Sequence, residues 1–144
     1  MKYWGLIFGL LLPFASFAES AEALSTAAIS ARIQLVNDAQ NNMMLSGSTV
    51  ADVDALFAFF SNDFVYVHEV YGGTYPREHL YHNSINNLQA GRYKLTEPRY
   101  QILQILPGLN AAAVQRREQR SGKIHLTLFE FKDDKISKIV EYWQ

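Results

Sequence analysis

The spacing of apolar side chains changes character near the middle of the chain, and this change predicts the order of its elements. Before about residue 91 the apolar positions recur every three or four residues, which is typical of amphipathic helices. Three helices are predicted: one over about 23–45, a second capped by Thr49, and a third opened by Pro76 and ended by Gly91.

The second half of the chain alternates with a period of two, which predicts strands joined by tight turns. An earlier β-branched and aromatic run over 64–68 predicts one more strand, followed by a glycine loop at 72–73. Helices followed by hairpin-linked strands are the order of an α+β domain, so we predict one such domain over 19–144. The four late strands are expected near 97–106, 110–119, 123–132 and 135–143.

Turn chemistry predicts which side chains share a face of the sheet. A three-residue loop with Gly122 in the left-handed conformation would pair Glu118 with Ile124, and a two-residue turn at 133–134 would pair Leu126 with Glu141. The first face then carries Val114, Arg116, Glu118, Ile124, Leu126, Leu128, Ile139, Glu141 and Trp143. The second carries His125, Thr127, Phe129, Phe131, Ile136, Val140 and Tyr142. A three-residue turn at 133 would instead bring His125 beside Glu141, and this alternative stays open.

The first 18 residues predict export. Lys2 precedes an apolar run that Pro13 breaks, and Ser16-Phe17-Ala18 supplies the small residues of a signal-peptidase site. The run is shorter than the roughly 20 residues that span a bilayer. We therefore expect a signal peptide over 1–18, cleavage after Ala18, and a periplasmic or secreted protein without a stable membrane anchor.

Composition narrows the classes of function. The net charge of −1 lacks the basic excess of a nucleic-acid-binding protein, and the absence of cysteine excludes thiol chemistry and disulfides. No phosphate loop, dinucleotide fingerprint or nucleophile elbow is present, so we expect no cofactor. His79 and His82 have a possible metal spacing but no third ligand in the sequence, so we expect no metal site.

Four residues are the candidates for chemistry. Glu118 and Glu141, with Arg116 between them, could place an acid and a base around one water; the alternative is an ion pair at the rim of the sheet. His68 ends the first strand and could be a general base or a polar anchor; the alternative is a structural histidine capped by a loop carbonyl. The candidates for ligand contact are Tyr66, His68, Tyr81, Leu126 and Trp143.

Three segments resemble the nuclear transport factor 2-like superfamily. The run 60–68, Phe-Ser-Asn-Asp-Phe-Val-Tyr-Val-His, resembles its passage from the second helix to the first strand. The run 72–78, Gly-Gly-Thr-Tyr-Pro-Arg-Glu, resembles the loop before its third helix, and 132–136 with 141–143 resembles the closing hairpin of SnoaL-like members. The resemblance implies a cone-like, mostly antiparallel curved sheet wrapped around about three helices and enclosing a pocket.

The same resemblance leaves the activity open, because the superfamily includes isomerases, dehydratases, epoxide hydrolases, polyketide cyclases and members without known activity. The set Arg116, Glu118 and Glu141 resembles the Arg-x-Asp plus Asp set of limonene-type epoxide hydrolases, with glutamate in place of both aspartates. His68 stands where ketosteroid isomerases carry their catalytic aspartate.

Three hypotheses of function follow. The first is an exported pocket domain that binds a small apolar or aromatic molecule. The second is an acid/base enzyme of the hydrolase, isomerase or dehydratase type, with Glu141 or Glu118 as base. The third is a non-catalytic accessory dimer that acts by protein contacts. A homodimer is expected in each case, with Phe129 and Tyr142 near the centre of its interface, because the predicted second face is apolar.

Overall fold

A computed structural model describes residues 23–143, and for Trp143 only the backbone. The predicted signal peptide lies outside the described residues and stays a prediction. Among 23–143 no helix is long and apolar enough to cross a membrane. The elements in chain order are α1 (Thr26–Met44), α2 (Val50–Phe57), β1 (Phe60–His68), β2 (Gly73–Pro76), α3 (Arg77–Gln89), β3 (Tyr100–Gly108), β4 (Ala111–Glu118), β5 (Ile124–Lys132) and β6 (Lys135–Trp143).

The first two helices begin where side chains satisfy their exposed backbone donors. Ser25 is the N-cap of α1: its side chain accepts a hydrogen bond from the Ala28 backbone N–H at 3.1 Å, and the helix begins at Thr26. At α2, Thr49 and Asp52 form the reciprocal capping box that the Thr49 signal suggested. Ile29 and Ile33, on the apolar stripe of α1, are at most 1 % exposed and pack in the core against the sheet.

The six strands form one open sheet in the order β2-β1-β6-β5-β4-β3. Only β1 and β6 run parallel among the described pairs; the other neighbours are antiparallel. The three helices pack against one face of this sheet, which we call the helix-covered face, and we call the opposite side the outer face. This arrangement confirms the predicted α+β fold, and adds strand β2 where the sequence predicted a glycine loop.

The predicted register between β5 and β6 is wrong by one residue over most of its length. The two-residue turn is present, since Lys132 lies opposite Lys135, but the register shifts between Glu130 and Phe131. Beyond that bulge Thr127, not Leu126, lies opposite Glu141. Ile136 and Ile139 are both buried although three positions apart, and the extra residue in β6 is what allows this.

The hairpin between β4 and β5 also differs from its prediction. Gly122 has the expected positive φ of 72°, but the Glu118 N–H donates to the Lys123 carbonyl at 2.8 Å, so the loop is one residue longer. Arg116 therefore lies opposite His125 instead of Leu126. The two register changes move His125, Thr127, Phe129 and Phe131 onto the helix-covered face with Val114, Arg116, Glu118 and Glu141, and move Ile124, Leu126 and Leu128 to the outer face.

Candidate active site

The Glu141 carboxylate is the centre of a buried polar cluster. It is 4 % exposed, and both of its oxygens have partners. Arg116 Nη2 donates to Oε1 at 3.0 Å, the Tyr66 hydroxyl donates to Oε2, and His125 Nδ1 lies 3.5 Å from Oε1. These side chains come from β6, β4, β1 and β5, which are consecutive in the sheet order, so the topology brings them together.

The Arg116 guanidinium is held on more than one side. Nη1 donates to Gln40 Oε1 on α1 at 2.6 Å, and the guanidinium carbon lies 4.4 Å from the centre of the Tyr100 ring. A buried ion pair is stabilised by hydrogen bonds to its remaining polar atoms. Gln40 and the ring face of Tyr100 supply part of that support, and they hold the guanidinium beside the carboxylate.

The two tyrosines next to Glu141, Tyr66 and Tyr100, have raised pKa values. Burial above all, and then the nearby Glu141 carboxylate, raise the pKa of Tyr66 far above its ordinary value. The same two causes raise the pKa of Tyr100. Tyr66 therefore keeps its proton and acts as a hydrogen-bond donor to the carboxylate throughout the physiological pH range.

A cavity of about 270 Å³ opens onto this cluster. Its walls are mostly aliphatic and aromatic side chains from the helices and the helix-covered face, and three of its polar residues, Gln40, Tyr66 and Arg116, belong to the cluster around Glu141. An apolar cavity with a few convergent polar groups is the usual form of a small-molecule site. The lining residues are Val36, Gln40, Met43, Leu56, Phe57, Phe60, Phe64, Tyr66, Leu80, Ser84, Arg99, Tyr100, Arg116, Phe129, Ile139 and Glu141.

Glu118 lies on the same face as Glu141 but has different partners. Its carboxylate accepts the Ser121 backbone N–H at 2.7 Å and lies 3.4 Å from Arg99 Nε. Hydrogen bonding from Ser121, aided by Arg99, lowers the pKa of Glu118. Its observed hydrogen bond and ion pair tie Glu118 to the β4–β5 loop and to Arg99, while Arg116 donates to Glu141.

His68 is buried opposite Glu141 in the parallel β1–β6 pair, on the face that carries Tyr66. Its Nδ1 accepts the Tyr71 backbone N–H at 3.3 Å, and its ring stacks on the Tyr71 ring with centroids 4.4 Å apart. It is not among the residues that line the 270 Å³ cavity. The structure therefore places His68 beside the cluster, with a loop contact of the kind that a structural histidine makes.

The remaining predicted ligand contacts lie in three different places. Tyr66 lines the cavity, whereas the Tyr81 hydroxyl donates to Asp54 at 2.7 Å. Leu126 is 41 % exposed on the outer face, so its predicted position is wrong for the register reason given above. The backbone of Trp143 pairs with His125, and its side chain is outside the described part of the chain.

Sequence reasoning missed Gln40 and Tyr100 as members of the cluster, and it brought His125 beside Glu141 only in the alternative with a three-residue turn at 133. His125 could have been found, because the three-residue spacing of Ile136 and Ile139 breaks the period of two and signals a bulge in β6. Gln40 and Arg116 are 76 positions apart, and nothing in the local pattern of either one indicates the contact.

Comparison with known proteins supports the fold but shows no specific activity. No family model matches the chain, and no curated protein does. A SnoaL-like protein of unknown function from Burkholderia thailandensis superposes with a TM-score of 0.65 at 17 % identity, over 85 % of this chain and 99 % of that one. A protein from Kribbella flavida that is named as a candidate ketosteroid isomerase superposes with a TM-score of 0.60 at 14 % identity. The match covers 83 % of this chain and 79 % of that one.

A third solved structure, described as a polyketide cyclase homologue from Sinorhizobium meliloti, has a TM-score of 0.57 at 17 % identity. The match covers 83 % of this chain and all of that one. Identities this low show a shared architecture, while one architecture of this kind supports many different sites.

Proposed function

We propose that this protein, which has the nuclear transport factor 2-like fold of SnoaL-like proteins, binds a small apolar or aromatic molecule that carries one polar group. The observation that carries the proposal is the 270 Å³ cavity, whose apolar walls end at one buried polar cluster around Glu141. Apolar walls provide most of the binding free energy, and a few fixed polar groups orient the ligand.

Arg116 supplies the donor that the polar group of such a ligand needs. Its Nε atom is buried and makes no hydrogen bond within the described residues, whereas Nη1 and Nη2 are engaged. A buried donor without an acceptor costs about 1–3 kcal/mol. A hydroxyl or carbonyl oxygen in the cavity would satisfy Arg116, and this favours an alcohol, phenol or ketone over a pure hydrocarbon.

Fluorescence titration with 2-naphthol and naphthalene tests the proposal, because the two probes share a ring system and differ by one hydroxyl. We expect 2-naphthol to bind about tenfold more tightly, which is about 1.4 kcal/mol. Leu80→Trp, which fills the cavity, should abolish binding of both probes, whereas Leu126→Trp on the outer face should not. Equal binding of 2-naphthol by the two variants would contradict the proposal.

An acid/base enzyme is the second candidate, and the position of Glu141 in the cavity wall favours it. In that mechanism Glu141 takes a proton from a substrate or from water, Arg116 holds the developing oxyanion, and the protonated Glu141 then returns that proton to the product. Against it, both oxygens of Glu141 already accept hydrogen bonds from the protein, which weakens the carboxylate as a base. The test is turnover of an epoxide or an enolisable ketone by the wild type and by Glu141→Gln. Loss of turnover in Glu141→Gln, with 2-naphthol binding retained, would establish this candidate.

Export is part of the proposal and rests on Lys2, the apolar run and Ser16-Phe17-Ala18. Processed protein should begin at Glu19 by intact-mass measurement. A full-length chain retained in the membrane would contradict export.

A second copy of the chain is the proposed partner, and of the two residues predicted from the sequence at its interface, Phe129 and Tyr142, only Tyr142 remains in the proposal. Phe129 is 2 % exposed in the core, so its expected place at a dimer interface is wrong. Tyr142 stays on the outer face at 40 % exposure, near Leu126 at 41 % and Leu106 at 58 %. Covering these apolar side chains stabilises association by about 25 cal/mol per Å² buried.

A further inference from the structure

A second cleft, of about 540 Å³, lies at the end of the sheet where the β4–β5 hairpin approaches the segment that follows α3. We call it the basic cleft after its four cationic side chains, Arg92, Arg99, Arg120 and Lys123. The other lining residues are Met44, Tyr71, Tyr93, Leu95, Glu118, Ser121 and His125. Nothing in the proposed function uses this cleft.

The basic cleft carries an excess of positive charge in a chain whose net charge is −1. Among the described residues that line the cleft, Glu118 is the one carboxylate, and it lies 3.4 Å from Arg99, so that pair is neutral. Arg92, Arg120 and Lys123 form no ion pair within 23–143; Arg92 Nη1 donates to the amide oxygen of Asn87 at 2.9 Å. Three uncompensated cations in one concave site attract anions more strongly than the same charges spread over a convex surface.

We propose that the basic cleft binds a small molecule with two or more negative charges, carried by phosphate or carboxylate groups. A guanidinium group can donate two parallel hydrogen bonds to either a phosphate or a carboxylate, and the Lys123 ammonium adds a compact positive charge. Tyr71 and Tyr93 also line the cleft, and aromatic side chains suit the carbon skeleton of such a molecule. A long anionic polymer is disfavoured because the chain as a whole has no basic excess.

The basic cleft and the 270 Å³ cavity are neighbours with separate linings. Within residues 23–143, Arg99 is the one residue that lines both. Two adjacent methionines lie in different sites: Met43 lines the cavity and Met44 lines the basic cleft. The anion proposal therefore stands independently of the proposed function, and the two methionine methyl groups report on the two sites separately.

The test is titration of the exported form with inorganic phosphate, then with citrate, followed through the ¹³C-labelled methyl resonances of methionine. We expect the Met44 methyl signal to shift and saturate while the Met43 signal stays in place. Raising the salt from about 0.15 M to about 1 M should weaken binding at least tenfold, because the Debye length falls from about 8 to about 3 Å. Phosphate and citrate distinguish the two anion chemistries.

Arg120→Gln combined with Lys123→Gln should weaken binding of the preferred anion at least tenfold. Arg117→Gln is a matched control for loss of a cation, since Arg117 neighbours Arg116 on β4 but is exposed and outside the cleft lining. Equal weakening by the control, absence of a saturable Met44 shift with either anion, or tighter binding of single-stranded DNA or anionic vesicles than of both anions would overturn the proposal.

Discussion

Arg116 Nη2 lies 3.0 Å from Glu141 Oε1, and each side chain is 5 % exposed. Removing two charges from water costs several kcal/mol per ion, and a pair of well-packed apolar residues would be equally or more stable. Stability alone therefore does not explain a pair at this position. The proposed function supplies a reason for the pair, because fixed charges in a mostly apolar cavity would orient a polar ligand.

Breaking this pair from one side should destabilise the fold strongly. Arg116→Met leaves the Glu141 carboxylate buried without its cation, and we expect a loss of about 3–5 kcal/mol in the free energy of unfolding. The double variant Arg116→Met/Glu141→Leu should recover most of that loss. Urea denaturation measures both. The exposed pair of Lys132 and Asp63, 2.8 Å apart, is the control, and Lys132→Met should have little effect. Equal losses from Arg116→Met and Lys132→Met would contradict a buried pair.

The Tyr66 hydroxyl should contribute separately. Tyr66→Phe removes the hydrogen bond to Glu141 Oε2, and a bond to a charged acceptor is worth about 1.5–3 kcal/mol. Tyr81→Phe is the matched control, because its hydroxyl bonds the solvent-exposed carboxylate of Asp54. Denaturation of the two variants in parallel should show the larger loss for Tyr66→Phe, and the reverse order would count against the cluster.

The sequence predicted the elements much better than their register. Thr49, Pro76 and Gly91 mark helix ends through local backbone chemistry, so those ends are visible in a short window. The register of β6 depends on a bulge that allows two isoleucines three positions apart to be buried together. The bulge shifts the pairing of every later residue of β6 by one position. The longer β4–β5 loop shifts β5 by one residue against β4 as well, so Arg116 and Glu141 keep their predicted common face while the predicted register puts His125 on the wrong one.

Acid should weaken the fold partly through Glu118. Hydrogen bonding holds the pKa of this carboxylate below its ordinary value of 4.5, so the folded state binds fewer protons than the unfolded state. Its stabilising contribution is complete above that value and is lost as the pH falls through the lower, folded pKa. Asp63, with its pKa lowered to about 2 chiefly by Lys132, acts in the same direction.

Glu118→Gln should therefore flatten the acid side of the stability profile, measured as the urea midpoint between about pH 6 and about pH 3. Asp63→Asn serves as a comparison for the exposed pair. An unchanged profile in Glu118→Gln would show that the contacts with Ser121 and Arg99 do not favour the ionised form.

The outer face should control association. Leu126→Glu places a charge among exposed apolar side chains, and we expect it to convert a wild-type dimer to monomer at micromolar concentration. Leu35→Glu is the matched control, since Leu35 is 53 % exposed on α1, outside the sheet. Light scattering distinguishes these states. A monomeric wild type, or equal dissociation by both variants, would contradict association through the outer face.

The most direct test of ligand binding in the cavity is methionine methyl NMR during addition of 2-naphthol. Met43 lines the cavity and Met44 lines the basic cleft, so the two adjacent residues distinguish the sites within one spectrum. The account predicts a saturable ring-current shift of the Met43 methyl, no comparable shift of Met44, and loss of the Met43 response in Leu80→Trp. A Met43 signal that does not move while 2-naphthol is bound, or that moves equally in Leu80→Trp, would contradict it.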